Sequence, residues 1–98
     1  MNLSALEWNN LMELEKIILK LLKEAFSAGD PQSDIAMRAC ELHKEWLCLQ
    51  RKEGTYTKEA HLALAEGYGA DKRFTAYYDR LGTGCTKFFR DAIRNYVG

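Results

Sequence analysis

Cysteine and histidine are the residue types in this chain that could carry nucleophilic or metal chemistry. They are Cys40, Cys48, Cys85, His43 and His61. An imidazole can activate a thiol as a nucleophile, so Cys48 with His61 would suit a cysteine hydrolase. No catalytic signature surrounds that pair, and buried thiols with hydrogen-bonded histidines are the commoner arrangement. We therefore predict no catalytic residue and keep the hydrolase as a marginal alternative.

The number and spacing of the cysteines argue against a metal site. There are three cysteines, with no CxxC pair and no closely spaced histidines, whereas structural zinc sites need four ligands at short spacing. An odd number of thiols also argues against a disulfide framework. We predict no metal ion and no cofactor, and reduced thiols favour a cytoplasmic location.

Aromatic side chains suggest a different chemistry, the binding of a flat apolar molecule. The chain has two tryptophans, five tyrosines and four phenylalanines, and five of these rings lie in "RFTAYYDRLGTGCTKFF". Adjacent residues on a helix point about 100° apart, so Tyr77 and Tyr78 cannot both face one core centre. Any single ring fits a core role. As a set, the rings suit a pocket with apolar walls and a few hydroxyl groups.

Composition bounds the class of protein. The 98 residues are 47% hydrophobic and 29% charged, which is typical of one folded domain spanning residues 1–98. Fourteen basic residues balance 14 acidic ones, so the basic excess of a nucleic-acid-binding domain is missing. We see no signal peptide and no run of roughly 18 apolar residues, and expect a cytoplasmic protein without membrane contact.

The spacing of apolar residues predicts an all-α domain of about five helices. No segment alternates polar and apolar residues as a strand does. Helix 1 is predicted to begin with Ser4 as its N-cap and to end at Gly29, ahead of Pro31. Its apolar residues recur every three or four positions, and they are Leu11, Leu14, Ile18, Leu21, Leu22, Ala25 and Phe26.

Helix 2 is predicted to run from Pro31 or Ser33 to about Lys52, where "KEGTYT" interrupts the helical pattern. One wide face of this helix should be buried. The apolar residues of helix 2 are Ile35, Ala36, Ala39, Cys40, Leu42, Trp46, Leu47 and Leu49.

The three remaining helices are shorter, and each has a candidate N-cap. Thr57 should cap helix 3, "KEAHLALAEGY", whose end Gly67 and Gly69 should loosen. Asp71 should cap helix 4, "KRFTAYYDRL", and Thr83 should cap helix 5 within "GCTKFFRDAIRNYV".

Three long segments resemble one known family in order and spacing. They are "LSALEWNNLMELEKI", "AFSAGDPQSDIAMRACELHKEW" and "LALAEGYGADKRFTAYYDRLGTGCTKFFRDAI". Together they resemble the TipA-type effector-recognition domain, or TipAS, of MerR-family transcriptional activators, which captures thiostrepton-like thiopeptide antibiotics. The resemblance implies a globin-like packing of helices around a hydrophobic cleft that takes chemically varied, largely apolar molecules.

One departure from the family concerns how a ligand is held. Thiopeptide-binding relatives carry a cysteine before helix 3 that attaches covalently to the antibiotic, and Tyr56 lies near that place here. The resemblance therefore implies a hydrophobic small-molecule effector bound non-covalently. It also implies that contacts with DNA and RNA polymerase, and any homodimer, belong to regions absent from this chain.

The aromatic pattern and the resemblance together give a set of candidate ligand-binding residues. Phe74, Phe88 and the "RDAI" helix are assigned to the core. The alternative function is a helical protein-interaction module that uses the same rings against a partner helix. The candidate ligand-binding residues are Trp46, Tyr56, His61, Tyr68, Tyr77 and Tyr78.

Overall fold

The computed structural model describes residues 5–50 and 56–98, which form five α-helices and no strand. This confirms the predicted all-α class with about five helices. No helix in the described ranges is both long and apolar enough to cross a membrane. The helices are α1 Ala5–Ala28, α2 Asp34–Gln50, α3 Lys58–Ala70, α4 Lys72–Asp79 and α5 Cys85–Val97.

A tight turn joins α1 to α2, and its residues explain both helix ends. Gly29 takes a left-handed φ of 83° while its N–H donates to the carbonyl of Ala25 at 3.0 Å, a common way to end a helix. Ser33 then caps α2 by accepting a hydrogen bond from the N–H of Ala36 at 3.2 Å. The predicted N-cap of helix 1 at Ser4 and the predicted end of helix 2 near Lys52 lie outside the described residues.

The core forms where α5 contacts each of the other four helices. Phe89 and Ile93 of α5 are fully buried and pack in one cluster with Leu22 of α1 and Cys40 of α2. Burying a side chain the size of Phe89 stabilises a fold by about 1.5–3 kcal/mol. The predicted apolar face of α1 is confirmed, since all seven of its residues are buried or partly buried.

Two residues in the predicted apolar set of α2 are exposed. Ile35 is 39% exposed and Leu49 is 50% exposed. The innermost stripe of α2 follows Ala36, Cys40, His43 and Leu47 at spacings of four, three and four. The two exposed residues lie about 100° or more away from it. Apolar character alone did not fix which side of the helix faces inward.

Helix α3 is longer than its glycines predicted. Its N-cap is Thr57, as expected, whose hydroxyl accepts from the N–H of Ala60 at 3.0 Å. The helix continues through Gly67 and Gly69 to Ala70. Glycine in a helix costs about 1 kcal/mol but does not forbid helical geometry, and burial of Tyr68 between the two glycines offsets that cost.

Asp71 ends α3 and begins α4, and its role as N-cap of α4 is confirmed. Its N–H donates to the carbonyl of Gly67 at 3.0 Å. Its carboxylate accepts from the N–H of Arg73 at 2.9 Å. One residue thus satisfies backbone groups of two consecutive helices, which holds α4 in a fixed relation to α3.

The turn from α4 to α5 corrects the predicted cap at Thr83. Gly84 occupies the N-cap position with φ 94° and offers no side-chain cap. Instead, the carboxylate of Asp79, the last residue of α4, accepts from the N–H of Thr86 at 2.8 Å. Helix α4 ends at Asp79, two residues earlier than "KRFTAYYDRL" predicted, and its last carboxylate caps the next helix.

Replacing the cap of α5 should measurably weaken the fold. Asp79→Ala removes the acceptor for the N–H of Thr86, and we expect the free energy of unfolding to fall by about 1–2 kcal/mol. Urea unfolding followed by circular dichroism measures the change. Glu24→Ala, on the exposed side of α1, is the control and should change stability by less than about 0.5 kcal/mol. Equal stability of the two variants would contradict a capping role for Asp79.

Candidate functional site

A cavity of about 500 Å³ lies between α1, α2, α3 and α4. Its size falls in the range of small-molecule sites, and its lining is mostly apolar. Helix α1 contributes three lining residues, α2 two, α3 one and α4 four. The lining residues are Glu15, Ile18, Leu19, His43, Trp46, Tyr68, Arg73, Phe74, Tyr77 and Tyr78.

Helical spacing explains how each element presents its side chains to the cavity. On α1, Glu15 is followed by Ile18 and Leu19 at intervals of three and four residues, which places all three on one face. On α4, Phe74 is followed by Tyr77 and Tyr78 at the same intervals. The two helices therefore face each other across the cavity, each with one continuous stripe.

Four of the six predicted site residues line the cavity, and two do not. The four are Trp46, Tyr68, Tyr77 and Tyr78. Tyr56 and His61 lie outside the lining.

Phe74 was assigned to the core, and the structure corrects this. Its side chain is 43% exposed and lines the cavity, with its ring centroid 5.1 Å from that of Tyr68. Phe74 belongs to the same stripe of α4 as Tyr77 and Tyr78, but its ring stays partly in solvent at the edge of the cavity. Phe88 is buried against Phe26, with ring centroids 5.6 Å apart, as expected of a core residue.

A chain of hydrogen bonds connects Tyr56 and His61 to the cavity. The hydroxyl of Tyr56 lies 2.7 Å from Nδ1 of His61, and Nε2 of His61 lies 2.8 Å from Nδ1 of His43. Nε2 of His43 in turn lies 3.2 Å from the hydroxyl of Tyr68. His43 and Tyr68 both line the cavity, so the two residues outside the lining support two residues within it.

Both histidines are neutral at physiological pH. Burial, together with the neighbouring His61, lowers the pKa of His43 to about 3. Burial and the nearby ammonium of Lys44 lower the pKa of His61 to about 4. A neutral imidazole donates one hydrogen bond and accepts one. Donation therefore runs from Tyr56 to Tyr68 with both Nε2 atoms protonated, or in reverse with both Nδ1 atoms protonated.

Three tyrosine hydroxyls contribute to the polar part of the lining. Burial raises the pKa of Tyr78 and of Tyr68, and the two side chains are hydrogen-bonded to each other. The hydroxyl of Tyr77 donates to a carboxylate oxygen of Glu15. Burial, followed by this contact, raises the pKa of Tyr77 to about 12. All three phenols are thus protonated, and they give an apolar wall a few fixed hydrogen-bonding groups.

The lowered histidine pKa values predict a loss of stability in mild acid. Below pH 6.5 the unfolded chain binds protons at His43 and His61 that the folded chain does not bind. The histidine contribution to the free energy of unfolding is therefore fully present above pH 6.5. It falls as the pH drops toward the folded pKa values, by up to about 1.4 kcal/mol per pH unit for each histidine.

Urea unfolding between about pH 7 and pH 5, where carboxylates stay mostly ionised, isolates the histidine effect. His61→Gln should show a smaller slope, since one of the two groups is removed. Imidazole ¹⁵N shifts give the folded pKa values directly. Either histidine titrating near pH 6.5 in the folded protein would refute the buried, neutral chain.

The structure gives no support to a thiol–imidazole nucleophile. Both ring nitrogens of His61 are taken by Tyr56 and His43, so none is left for Cys48. Burial raises the pKa of Cys40 to about 12, and burial with the charge of Asp79 raises that of Cys85 to about 11. Within residues 5–50 and 56–98, no group of three acidic, histidine or cysteine side chains is arranged to hold a metal ion.

Thiol reactivity should divide the three cysteines into two classes. Cys48 is exposed, whereas Cys40 and Cys85 are buried with raised pKa values. We expect one thiol of the folded protein to react readily with an aromatic disulfide reagent, and the other two only after unfolding. Cys48→Ser should abolish the rapid phase. Rapid reaction at Cys40 or Cys85 would contradict the burial seen here.

Glu15, His43 and Arg73 are polar lining residues that the candidate set does not include. The spacing of Glu15 from Ile18 and Leu19 is the only sequence signal for Glu15. The same spacing is equally consistent with the polar border of an amphipathic helix. Its partner Tyr77 lies 62 positions away. No local pattern could have connected the two.

Comparison with known sequences gives the class of protein as an effector-recognition domain of transcriptional regulators. The sequence matches the TipAS antibiotic-recognition domain over residues 1–96, and the chain belongs to this family. The predicted resemblance is confirmed. No solved structure matches the chain, and the globin-like arrangement stays a prediction with which the helix packing is consistent.

The relatives are MerR-type regulators that are much longer than this chain. It is 30% identical over 88 residues to the HTH-type transcriptional activator TipA of Streptomyces coelicolor, covering 89% of this chain and 34% of that protein. It is 27% identical over 92 residues to the HTH-type transcriptional regulator SkgA of Caulobacter vibrioides, covering 93% of this chain and 36% of that protein. The chain thus spans about a third of the length of these relatives.

Proposed function

We propose that this chain is the effector-sensing domain of a cytoplasmic MerR-type regulator and binds a largely apolar small molecule non-covalently. The preformed cavity walled by aromatic rings is the observation that carries the proposal. A guest in it would gain from apolar burial and ring stacking, with tyrosine hydroxyls fixing its orientation. The family's description names antibiotic recognition, and thiopeptide-like antibiotics are the class of candidate that the resemblance implies.

Non-covalent capture follows from the residues around the cavity. No cysteine occurs among the lining residues that the structure describes, and Tyr56 lies near the place where the resemblance puts the family's reactive cysteine. The hydroxyl of Tyr56 is hydrogen-bonded to His61, and burial raises the pKa of this phenol to about 12. A protonated, hydrogen-bonded phenol is a poor nucleophile, so we expect a ligand to dissociate intact.

Transmission to DNA would occur through parts of a full-length regulator outside this chain. A ligand that binds one arrangement of the cavity helices more tightly shifts the population toward it. Contacts with DNA and RNA polymerase, and formation of a homodimer, are proposed for those other regions. This chain would supply the difference in ligand affinity between the two arrangements, and that difference drives the population shift.

A protein-interaction function is the second candidate, because α1 has exposed apolar residues. Trp8 is 56% exposed and Met12 is 47% exposed, and they lie one helical turn apart on the same face. That face continues through Glu15 to Leu19 at the cavity. Sedimentation at several concentrations separates the candidates, since self-association that Trp8→Ala abolishes would favour the interaction module.

Ligand binding is tested by removing an aromatic ring at the edge of the cavity. Phe74→Ala should weaken binding of Nile red, a neutral aromatic dye, by about tenfold, which corresponds to the roughly 1.4 kcal/mol of one lost aromatic contact. Ile35→Ala removes a similarly exposed apolar side chain that does not line the cavity and should leave affinity unchanged. Dye fluorescence measures both affinities.

Amide NMR shifts upon addition of Nile red or thiostrepton locate the site. We expect perturbations to centre on Trp46, Tyr68 and Tyr77, and mass spectrometry to find no covalent adduct. If neither compound shifts those amides, the sensing function fails for this chain.

A further inference from the structure

We propose that the cavity selects ligands that carry a positively charged nitrogen on an aromatic or aliphatic body, with Glu15 as the residue that determines this preference. The inference rests on the proposed function, since it specifies the chemical class of ligand that the same cavity takes. Three features of the described cavity lining carry it: a carboxylate without an ionic partner in the described ranges, an arginine already paired elsewhere, and a wall of aromatic faces.

Glu15 is held in a fixed orientation without being neutralised. Its half-buried side chain lines the cavity, and it is the only carboxylate among the described lining residues. It accepts a hydrogen bond from the neutral phenol of Tyr77. A carboxylate has about four acceptor positions, so one donor leaves most of them free. No ion pair joins Glu15 to a lysine or arginine in the described part of the chain.

Arg73, the one positively charged residue among the described lining residues, is paired outside the cavity. Its guanidinium lies 3.1 Å from one carboxylate oxygen of Asp71 and 3.4 Å from the other. The side chain of Arg73 is 88% exposed, which keeps its charge in solvent. Asp71 thus balances Arg73, and Glu15 carries the one unpaired charge among the described lining residues.

The aromatic wall reinforces a preference for cations. The face of an aromatic ring carries negative charge density and attracts ammonium and guanidinium groups within about 6 Å of its centre. The ring of Tyr77 already attracts one such group: the guanidinium of Arg80, an exposed residue outside the lining, lies 4.4 Å from its centroid. The rings that face the cavity are those of Trp46, Tyr68, Phe74, Tyr77 and Tyr78.

These features select by charge as well as by shape. A quaternary ammonium needs no hydrogen-bond acceptor, so it can rest between the ring faces while Glu15 balances its charge. Partial exclusion of water strengthens that attraction relative to bulk solvent. A neutral ligand of equal shape gains only the apolar contacts, and an anionic one is repelled by Glu15.

The test uses three probes that share a naphthalene body and differ in charge. They are (2-naphthylmethyl)trimethylammonium, its neutral carbon isostere 2-neopentylnaphthalene, and the anion 2-naphthylacetate. We expect the protein to bind the cation at least about tenfold more tightly than the neutral isostere, a difference of about 1.4 kcal/mol, and to bind the anion most weakly. Competition with Nile red measures all three affinities.

Glu15→Gln should remove this preference while leaving the neutral probe unaffected. The expected result is about tenfold weaker binding of the cation, with less than about a twofold change for the isostere. Glu13→Gln is the matched control, because it removes the same charge two residues away on α1, where Glu13 is exposed and paired with Lys16. That control should bind all three probes as the parent does.

A measurement on the parent protein keeps the test independent of variant folding. Raising the salt concentration from about 0.05 M to 0.5 M should weaken binding of the cation and not of the isostere, because screening acts on the charge. Equal affinity of cation and isostere in the parent, or an unchanged preference in a folded Glu15→Gln variant, would overturn the inference and leave the proposed function standing. Failure of every probe and of Nile red to bind would overturn both.

Discussion

The hydrogen bond between His43 and His61 fixes the distance between α2 and α3, and the cavity depends on that distance. Both imidazoles are almost fully buried, so an unpaired ring nitrogen at either would be costly. The bond joins two nitrogens at 2.8 Å and orients His43 toward Tyr68. Because Tyr68 meets the rings of Tyr78 and Phe74, a polar contact inside the core determines where the aromatic wall stands.

The polar chain and the apolar core stabilise one another. The ring of His43 packs against that of Phe89, with centroids 5.0 Å apart, and stacks on that of Trp46. Water is thereby kept from the imidazoles, which lowers their pKa values and keeps them neutral. Neutral imidazoles in turn can be buried without an ionic partner. The core therefore tolerates the two imidazoles because each of their ring nitrogens has a hydrogen-bond partner.

Local sequence signals predicted the helices well and the partners across the fold poorly. Ser33, Thr57 and Asp71 act on backbone groups within a few residues, so caps and turns near them could be anticipated. The cap of α5 could not, because Asp79 reaches the N–H of Thr86 across a turn that favours Thr83 by composition. Phe74 was misplaced for a related reason: ring type predicts burial, but only the packing of α4 on its neighbours decides which ring stays at the edge.

Substitutions in the short helix α4 can change the cavity lining with little effect on the core. The eight residues of α4 supply four of the ten lining residues in the described ranges. Asp71 and Asp79 anchor the two ends of this helix through hydrogen bonds with the backbone of α3 and α5. Apart from Tyr78, the α4 residues that face the cavity lie outside the buried core. Substitutions confined to this octapeptide could therefore diversify ligand selectivity between relatives, while the scaffold formed by α1, α2 and α5 remains the same.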